Sequence, residues 1–165
     1  MHYFPQRRLV FVILYLVVTS SALGEDASST QPDLKGDLNS SVDAGATFAT
    51  ALSIVTLGRY EKNHLGGVDK VDIFSFDAKA GERYQVIAAP GATSHIALKL
   101  RILDQAAHEL ASSAGEIGEE VKISPIHIAS SGTYFLEISD RYNAKEYQEY
   151  SLDVRKLSDS AAKTK

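Results

Sequence analysis

The alternation of apolar and polar residues with a period of two is the feature that most restricts the fold of this chain. In the segment 96–104, Ile96, Leu98, Leu100 and Ile102 would lie on one face of an extended strand, and Lys99 would lie on the other. Successive side chains of a strand point to opposite faces, so this pattern predicts a strand buried on one face only. The same pattern recurs in segments 70–78, 82–89, 119–128, 132–139 and 150–156.

Turn-forming residues separate these segments at intervals of about 8 to 14 residues, which is typical of sandwiches and barrels. Glycines mark the turns at Gly81, Gly91, Gly115 and Gly132. No segment shows a helical period over three turns, and the β-branched residues of segment 46–55 favour extended chain. The sequence therefore predicts an all-β protein, a single jelly-roll-like β-sandwich of about seven or eight antiparallel strands.

The N-terminus has the order of features that is typical of a secretory signal peptide. Arg7 and Arg8 precede an apolar run over 9–18, and small residues follow as far as Ala22 or Gly24. The apolar run is shorter than the roughly 20 residues that a membrane-spanning helix needs. We therefore expect residues 1–24 to be removed and the protein to be exported to the periplasm or the extracellular space. The alternative is an uncleaved N-terminal anchor.

Composition divides the rest of the chain into three parts. Residues 25–42 are polar and without periodicity, which predicts a disordered linker. Residues 43–155 contain the alternating segments and form the predicted sandwich domain. Residues 156–165 are again polar and are expected to be a disordered tail.

Charge and residue content exclude several classes of function. The chain has 21 acidic and 17 basic side chains, and its leader holds two of the arginines, so a mature chain would be clearly acidic. An acidic surface argues against nucleic acid and anionic membranes as partners. The absence of cysteine excludes thiol catalysis, and no common hydrolase or nucleotide-binding motif is present. We expect a non-enzyme; a small hydrolase with a dispersed site is the remote alternative.

Two aspartates, Asp69 and Asp72, follow the glycine pair Gly66 and Gly67 at the start of a predicted strand. Residues three apart in a strand point to opposite faces, so the two can share an ion only if the chain turns between them. The glycines permit such a turn. Calcium needs six to eight oxygen ligands, and the segment around Asp43, with Asp37 or Asn39 before it, is the natural further donor. The alternative is that Asp69 and Asp72 only cap a turn and block a strand edge.

Four segments in order, 43–58, 65–86, 130–139 and 150–154, resemble the bacterial pre-peptidase C-terminal domain family. That family is related to the collagen-binding domains of bacterial collagenases. The resemblance implies a jelly-roll-like sandwich that accompanies secreted peptidases and is not itself catalytic. In calcium-binding members, acidic residues before the first strand and a D-x-x-D motif hold the ion. Asp43, Asp69 and Asp72 match these positions, whereas Ile73 replaces the aromatic residue that commonly follows.

Three tyrosines lie outside the predicted apolar faces: Tyr60, Tyr142 and Tyr147. Exposed tyrosines suit protein or glycan contacts, because a rigid ring provides contact area at little entropic cost. The alternative is that they cover the rim of a sheet. Together these features predict an exported binding or accessory module, calcium-stabilised, that engages protein or polysaccharide surfaces. The second hypothesis is a structural or secretion module that acts with a separately encoded secreted peptidase.

Overall fold

The strands of this protein pair into two sheets whose apolar faces pack against each other. The computed structural model describes residues 36–158 and contains nine strands, preceded by a 3-10 helix over Phe48–Thr50. The strands β1 to β9 span Leu52–Ser53, Gly58–Leu65, Val71–Ala78, Arg83–Pro90, Leu98–Leu103, Glu109–Ala114, Val121–His127, Gly132–Asp140 and Gln148–Leu157. The predicted all-β sandwich is confirmed.

The first sheet has the strand order β1-β3-β8-β5-β6, and the second has the order β2-β9-β4-β7. Most consecutive strands lie in different sheets, as expected of a jelly-roll-like sandwich. The pairings are antiparallel with one exception, because β1 runs parallel to β3 through Leu52 and Ser53. The strand count and this parallel pair are the differences from the prediction of seven or eight antiparallel strands.

The core lies between the two sheets and is built from the alternating positions. In β5, Leu98, Leu100 and Ile102 are fully buried, whereas Lys99 is exposed. Strands β3 and β8 of the same sheet and β9 of the facing sheet contribute in the same way; their largest fully buried side chains include Phe74, Phe76, Leu136, Ile138, Tyr150 and Leu152. Burying each such side chain stabilises the fold by roughly 1.5–3 kcal/mol, so the period-two pattern determines which face turns inward.

Three strands lack a clear alternating pattern. Strand β6 has the sequence ELASSA, and β2 is rich in charged residues, with an irregular register between Tyr60 and Asn63. Strand β1 has two residues and follows the 3-10 helix, so segment 46–55 is only partly extended. All three lie at sheet edges, where one side of the strand meets solvent and a complete apolar face is not required.

The ordered structure extends past both predicted ends of the sandwich domain. Residues 36–42, in the predicted linker, form a turn in which Asp37 is completely buried. At the other end, β9 continues to Leu157 in pairing with Arg83. The predicted leader lies outside the described residues, as does most of the tail. Within 36–158, no helix has the length and apolar character needed to cross a membrane.

Candidate metal centre

Three carboxylates meet at one end of the sandwich. Asp37 and Asp43 come from the segment that precedes β1, and Asp72 comes from the beginning of β3. One carboxylate oxygen of each lies within 4.8 Å of an oxygen of the other two. Oxygens on opposite sides of a bound calcium ion are also about 4.8 Å apart, since each calcium–oxygen distance is 2.3–2.6 Å. The spacing therefore permits all three to contact one ion.

A tight turn between β2 and β3 places the beginning of β3 at this end. Gly66 and Asp69 exchange two backbone hydrogen bonds of 2.7 and 3.0 Å. Gly66 and Gly67 have φ angles of 117° and 61°, which other residues rarely adopt. The turn is attached to the loop after β8, because the N–H of Gly67 and the Nζ of Lys70 both donate to the carbonyl of Ala144. The turn therefore lies at the glycine pair and ends at Asp69, and the chain from Val71 onward is already strand β3, so no turn separates Asp69 from Asp72.

Asp37 holds the segment before β1 against the sandwich. Its Oδ2 accepts a 2.8 Å hydrogen bond from the N–H of Ala44, and its Oδ1 accepts one of 3.0 Å from the N–H of His64. Burial raises the pKa of this carboxyl to about 6, although the two N–H groups oppose the increase. Each carboxylate oxygen has two lone pairs, so Asp37 retains the capacity to bind a cation.

Asp72 lies at the end of the hydrophobic core and is fully buried. Its Oδ2 accepts a hydrogen bond from the hydroxyl of Tyr150, while its Oδ1 is buried with no hydrogen-bond partner among the described residues. Burial, and after it the charges of Asp37 and Asp69, hold the pKa of Asp72 well above the usual range. A buried carboxylate oxygen without a donor is costly unless it is protonated or bound to a cation.

Asp69 stands beside the group of three and is not one of its members. It is largely buried, and its Oδ2 has no hydrogen-bond partner in the part of the chain that the structure describes. Its pKa rises to about 7, first because of burial and then because of the charges of Asp43 and Asp37. The electrostatic field of the three carboxylates therefore reaches Asp69, and a cation among them would lower its pKa as well.

All four aspartates have raised pKa values, with burial as the largest cause for each. Lys70 is the cation that lowers the pKa of Asp69, and its Nζ is bound to a carbonyl in the neighbouring loop. Buried carboxylates that repel one another favour any bound positive charge, whether protons or a metal ion. Oxygen-only ligands of this kind suit hard cations, calcium above all.

The structure brings together Asp43 and Asp72 of the predicted metal residues, and it places Asp69 next to them. Asp37, which the sequence offered only as an alternative donor, is the third member of the group. Two residues that support the site could not be recognised as parts of it from the sequence. Tyr150 was assigned to the core alone, and Asn63, whose Oδ1 accepts from the N–H of Leu38, lay in an unrecognised strand.

The three candidate ligand-binding tyrosines lie in different surroundings. Tyr60 is half-buried against the core, and its hydroxyl donates to the carbonyl of Thr56. Tyr142 is 57% exposed and donates a 2.9 Å hydrogen bond to Glu116. Tyr147 lies against Gly67, with a pKa raised by burial and by nearby Asp69. Each tyrosine has a different set of neighbours, and Tyr147 belongs to the surroundings of the acidic group.

Comparison with known proteins identifies the fold. No family model matches the sequence, and no curated protein matches it. Among solved structures, the chain is similar to the pre-peptidase C-terminal domain of a collagenase from Bacillus anthracis, with a TM-score of 0.52 and 17% identity. The match covers 64% of this chain and 94% of that domain.

A second similar structure is a periplasmic inhibitor of g-type lysozyme from Aeromonas hydrophila, with a TM-score of 0.46 and 17% identity over 65% of this chain and 96% of the inhibitor. The corresponding inhibitor from Salmonella Typhimurium has a TM-score of 0.43 and 16% identity, over 65% of this chain and 98% of its own. The resemblance predicted from the sequence is confirmed at the level of structure: this chain has a β-sandwich fold similar to that of a collagenase pre-peptidase C-terminal domain.

Proposed function

We propose that this protein is an exported, non-catalytic binding module whose acidic group binds calcium. The observation that carries the proposal is the buried Oδ1 of Asp72, which has no hydrogen-bond partner among the described residues and lies within the group that includes Asp37 and Asp43. A calcium ion would satisfy that oxygen and offset the repulsion among the carboxylates. Asp69, which lies beside the group, is a nearby source of a further oxygen ligand.

The ion would act as a structural link. Asp37 and Asp43 belong to the segment before β1, whereas Asp72 belongs to β3 and contacts β9 through Tyr150. A cation shared by the three would therefore fasten the N-terminal segment to both sheets. It would supply no chemistry beyond charge neutralisation and cross-linking, which agrees with a binding role for the protein.

A protein or polysaccharide surface is the partner that this interpretation implies. Support comes from the fold, which is similar to a domain attached to a collagenase, and from a leader typical of exported proteins. The same similarity supports the second candidate, a module that works beside a separately encoded secreted peptidase. Co-purification with one peptidase, and with no insoluble polysaccharide, would favour this second candidate.

The proposal is tested by thermal unfolding of the protein in excess chelator and then in about 10 mM calcium, which is about 100 times a dissociation constant of 10⁻⁴ M. Saturation to that degree adds about 2.7 kcal/mol of stability. In a domain of this size, the midpoint would rise by about 10 °C. Magnesium at the same concentration would produce a much smaller shift, since it resists dehydration and demands a stricter geometry.

Asp72→Asn should abolish the calcium-induced shift, because it removes a charged ligand at the centre of the group. Asp77→Asn is the matched control, because Asp77 lies on the same strand, is exposed and only accepts a hydrogen bond from Thr133 at the opposite end. The control should keep the full shift. The calcium proposal would be overturned if calcium did not raise the melting point of the unaltered protein, or if both variants lost the calcium-induced rise equally.

A further inference from the structure

The two sheets have four edge strands, and three of them carry features that prevent pairing with another chain. Strand β1 has only two residues. Strand β2 is interrupted by an irregularity at which Lys62 has a φ of 59°. Strand β7 contains Pro125, which lacks an N–H, and Lys122. Short length, bulges, lysines and prolines are the usual protections of sheet edges.

Strand β6 is the exception. Its sequence, ELASSA, contains neither proline nor lysine, and Ser112 and Ala114 are exposed. Pairing with β5 is regular from Ala111 to Ala114, after an irregularity at Leu110. The Leu98 carbonyl accepts a hydrogen bond from the N–H that follows β6, so alternate residues of β5 bond towards β6. By that alternation, the N–H and C=O of Ser112 and Ala114 point away from β5, toward the open edge.

A cavity of about 400 Å³ lies at one end of this edge, at the end of the sandwich opposite the acidic group. Leu110 of β6 and Ile126 of β7 line it, together with Ala129 and Tyr134. Its volume lies within the range of ligand pockets. The apolar part of its lining suits a bulky aliphatic side chain, and Asp104 and His127 add polar groups to the wall. Leu110 is 42% exposed, so it leaves an apolar contact at the mouth of the cavity.

The surroundings of the edge are acidic. From Asp104 to Val121 the chain has five carboxylates and no lysine or arginine. Glu109 and Glu116 form ion pairs with Arg101 and Arg141, respectively. Glu119 and Glu120 are exposed in the turn that follows the strand. An occupant of this edge would therefore be favoured if it carried positive charge.

We propose that the open edge of β6 and the adjacent cavity bind an extended, basic segment of a partner protein, which adds to the first sheet as a further strand. Main-chain hydrogen bonds to Ser112 and Ala114 provide affinity, and an aliphatic side chain in the cavity provides specificity. This inference rests on the proposed binding function and names the chemistry of its partner. It does not depend on calcium, because β8 and β5 separate β6 from β3, the strand that carries Asp72.

Two other occupants fit the surface less well. A second copy of this chain would bring the same acidic segment, with exposed Glu119 and Glu120, to the edge, and like charges across an interface disfavour pairing. The tail after Ser158 begins at the same end of the sandwich, where the carbonyl of Ser158 accepts a hydrogen bond from Arg83. Its apolar residues, Ala161 and Ala162, are too small to fill the cavity.

The test is a nuclear magnetic resonance titration of the full-length protein with a capped seven-residue peptide of alternating lysine and leucine. The expected result is saturable binding, with the largest amide shift changes at Ser112 and Ala114, and weaker binding at higher salt. A peptide with glutamate in place of lysine should bind at least tenfold more weakly. Ser112→Pro removes the outward N–H and should weaken binding at least tenfold, whereas Ser112→Ala keeps that N–H and should bind normally.

Leu110→Lys is a second variant, at an exposed position where loss of the fold is not expected; it should also weaken binding at least tenfold. Equal binding of the two peptides, or unchanged binding by Ser112→Pro, would overturn the proposal. The proposal would also be overturned if the protein formed a concentration-dependent dimer that shifted the Ser112 amide signal, which would make a second copy the occupant. It would likewise be overturned if the amide shift changes disappeared when the chain was truncated after Ser158, which would make the tail the occupant. If calcium still raised the melting point of Ser112→Pro, the calcium site would be intact, and a loss of peptide binding in that variant would concern the β6 edge alone.

Discussion

The hydroxyl of Tyr150 donates a 2.5 Å hydrogen bond to Oδ2 of Asp72 across the gap between the two sheets. Both side chains are completely buried or nearly so. Tyr150 therefore lies at the boundary between the core and the polar end of the sandwich. Its ring packs with the apolar cluster, and its hydroxyl contacts the acidic group. The acidic site and the core therefore share one residue, and changes at Tyr150 should affect both.

Tyr150→Phe should lower the free energy of unfolding by about 1–3 kcal/mol, because it leaves Oδ2 of Asp72 buried without its donor. Urea unfolding in excess chelator measures this loss. Tyr134→Phe is the matched control, since that hydroxyl donates to the carbonyl of Ser130 at the opposite end. The control should lose about 0.5–1.5 kcal/mol. Calcium should reduce the loss relative to the unaltered protein only in Tyr150→Phe. Equal losses that calcium does not change would contradict the link between the tyrosine and the site.

Stability in chelator should fall as the pH rises from about 4 to above 7. The pKa values of Asp37 and Asp69 in the folded protein are raised to about 6 and about 7 from an ordinary 3.8, mainly by burial, and burial also holds the pKa of Asp72 well above 3.8. The folded state therefore binds more protons than the unfolded state in this pH window. The stability that these protons contribute is fully present below about pH 4, and it is lost as the pH rises through the pKa values of the folded protein.

Urea midpoints measured at pH 5, 6, 7 and 8 test this prediction. In chelator the midpoint should decrease steadily across the series, and in saturating calcium the decrease should be much smaller, because the ion replaces the protons. Asp72→Asn should also flatten the dependence in chelator. A midpoint that rises with pH in chelator would contradict the raised pKa values.

The period-two pattern predicted the fold because the inner strands must bury one complete face, as in Leu98, Leu100 and Ile102. The pattern did not reveal β2 and β6, because edge strands with one solvent-exposed side tolerate charged or small residues. The same reason accounts for β1, where Leu52 and Ser53 pair with β3 in parallel. A buried strand face produces an alternating pattern in the sequence, whereas pairing at a sheet edge produces no comparable pattern.

The acidic site was predictable in part. Local sequence identified the Asp69 and Asp72 pair and offered the segment around Asp43 as a further donor, and the resemblance to a known family matched all three residues. Which of these oxygens meet depends on the exact shape of the Gly66–Asp69 turn, which places Asp69 beside the group. The contact between Asp72 and Tyr150 joins residues 78 positions apart, in different sheets, and no local pattern encodes that pairing.

Gly66→Ala should destabilise the protein by more than about 2 kcal/mol and weaken calcium binding. A β-carbon at Gly66 would overlap the carbonyl oxygen of Glu146, and its φ of 117° is unfavourable for alanine. Gly118→Ala is the control, because it has a φ of 81° with open space around the new atom, so it isolates the backbone cost of about 1–2 kcal/mol. Chemical denaturation and a calcium titration measure the two effects. Equal destabilisation of both variants would exclude a role for the close approach at Gly66.

Asn63→Ala should release the segment that carries Asp37. Asn63 is fully buried; its Oδ1 accepts a 2.8 Å hydrogen bond from the N–H of Leu38, and its Nδ2 donates weakly to the carbonyls of Tyr60 and Tyr150. Truncation leaves these main-chain groups unpaired, at a cost of about 1–3 kcal/mol. Amide hydrogen exchange measures the local effect, and exchange at Leu38 should accelerate at least tenfold in chelator.

Gln85→Ala is the control for this variant, since Gln85 donates its side-chain hydrogen bond to Ser124 on the exposed face of the second sheet. Loss of that bond should change stability by less than about 0.5 kcal/mol and leave exchange at Leu38 unaltered. Calcium should slow exchange at Leu38 and Ala44 in Asn63→Ala, because an ion bound by Asp37, Asp43 and Asp72 would hold the segment by a second attachment. If calcium stabilised the variant without slowing these two amides, the ion would have to bind at a site other than this acidic group.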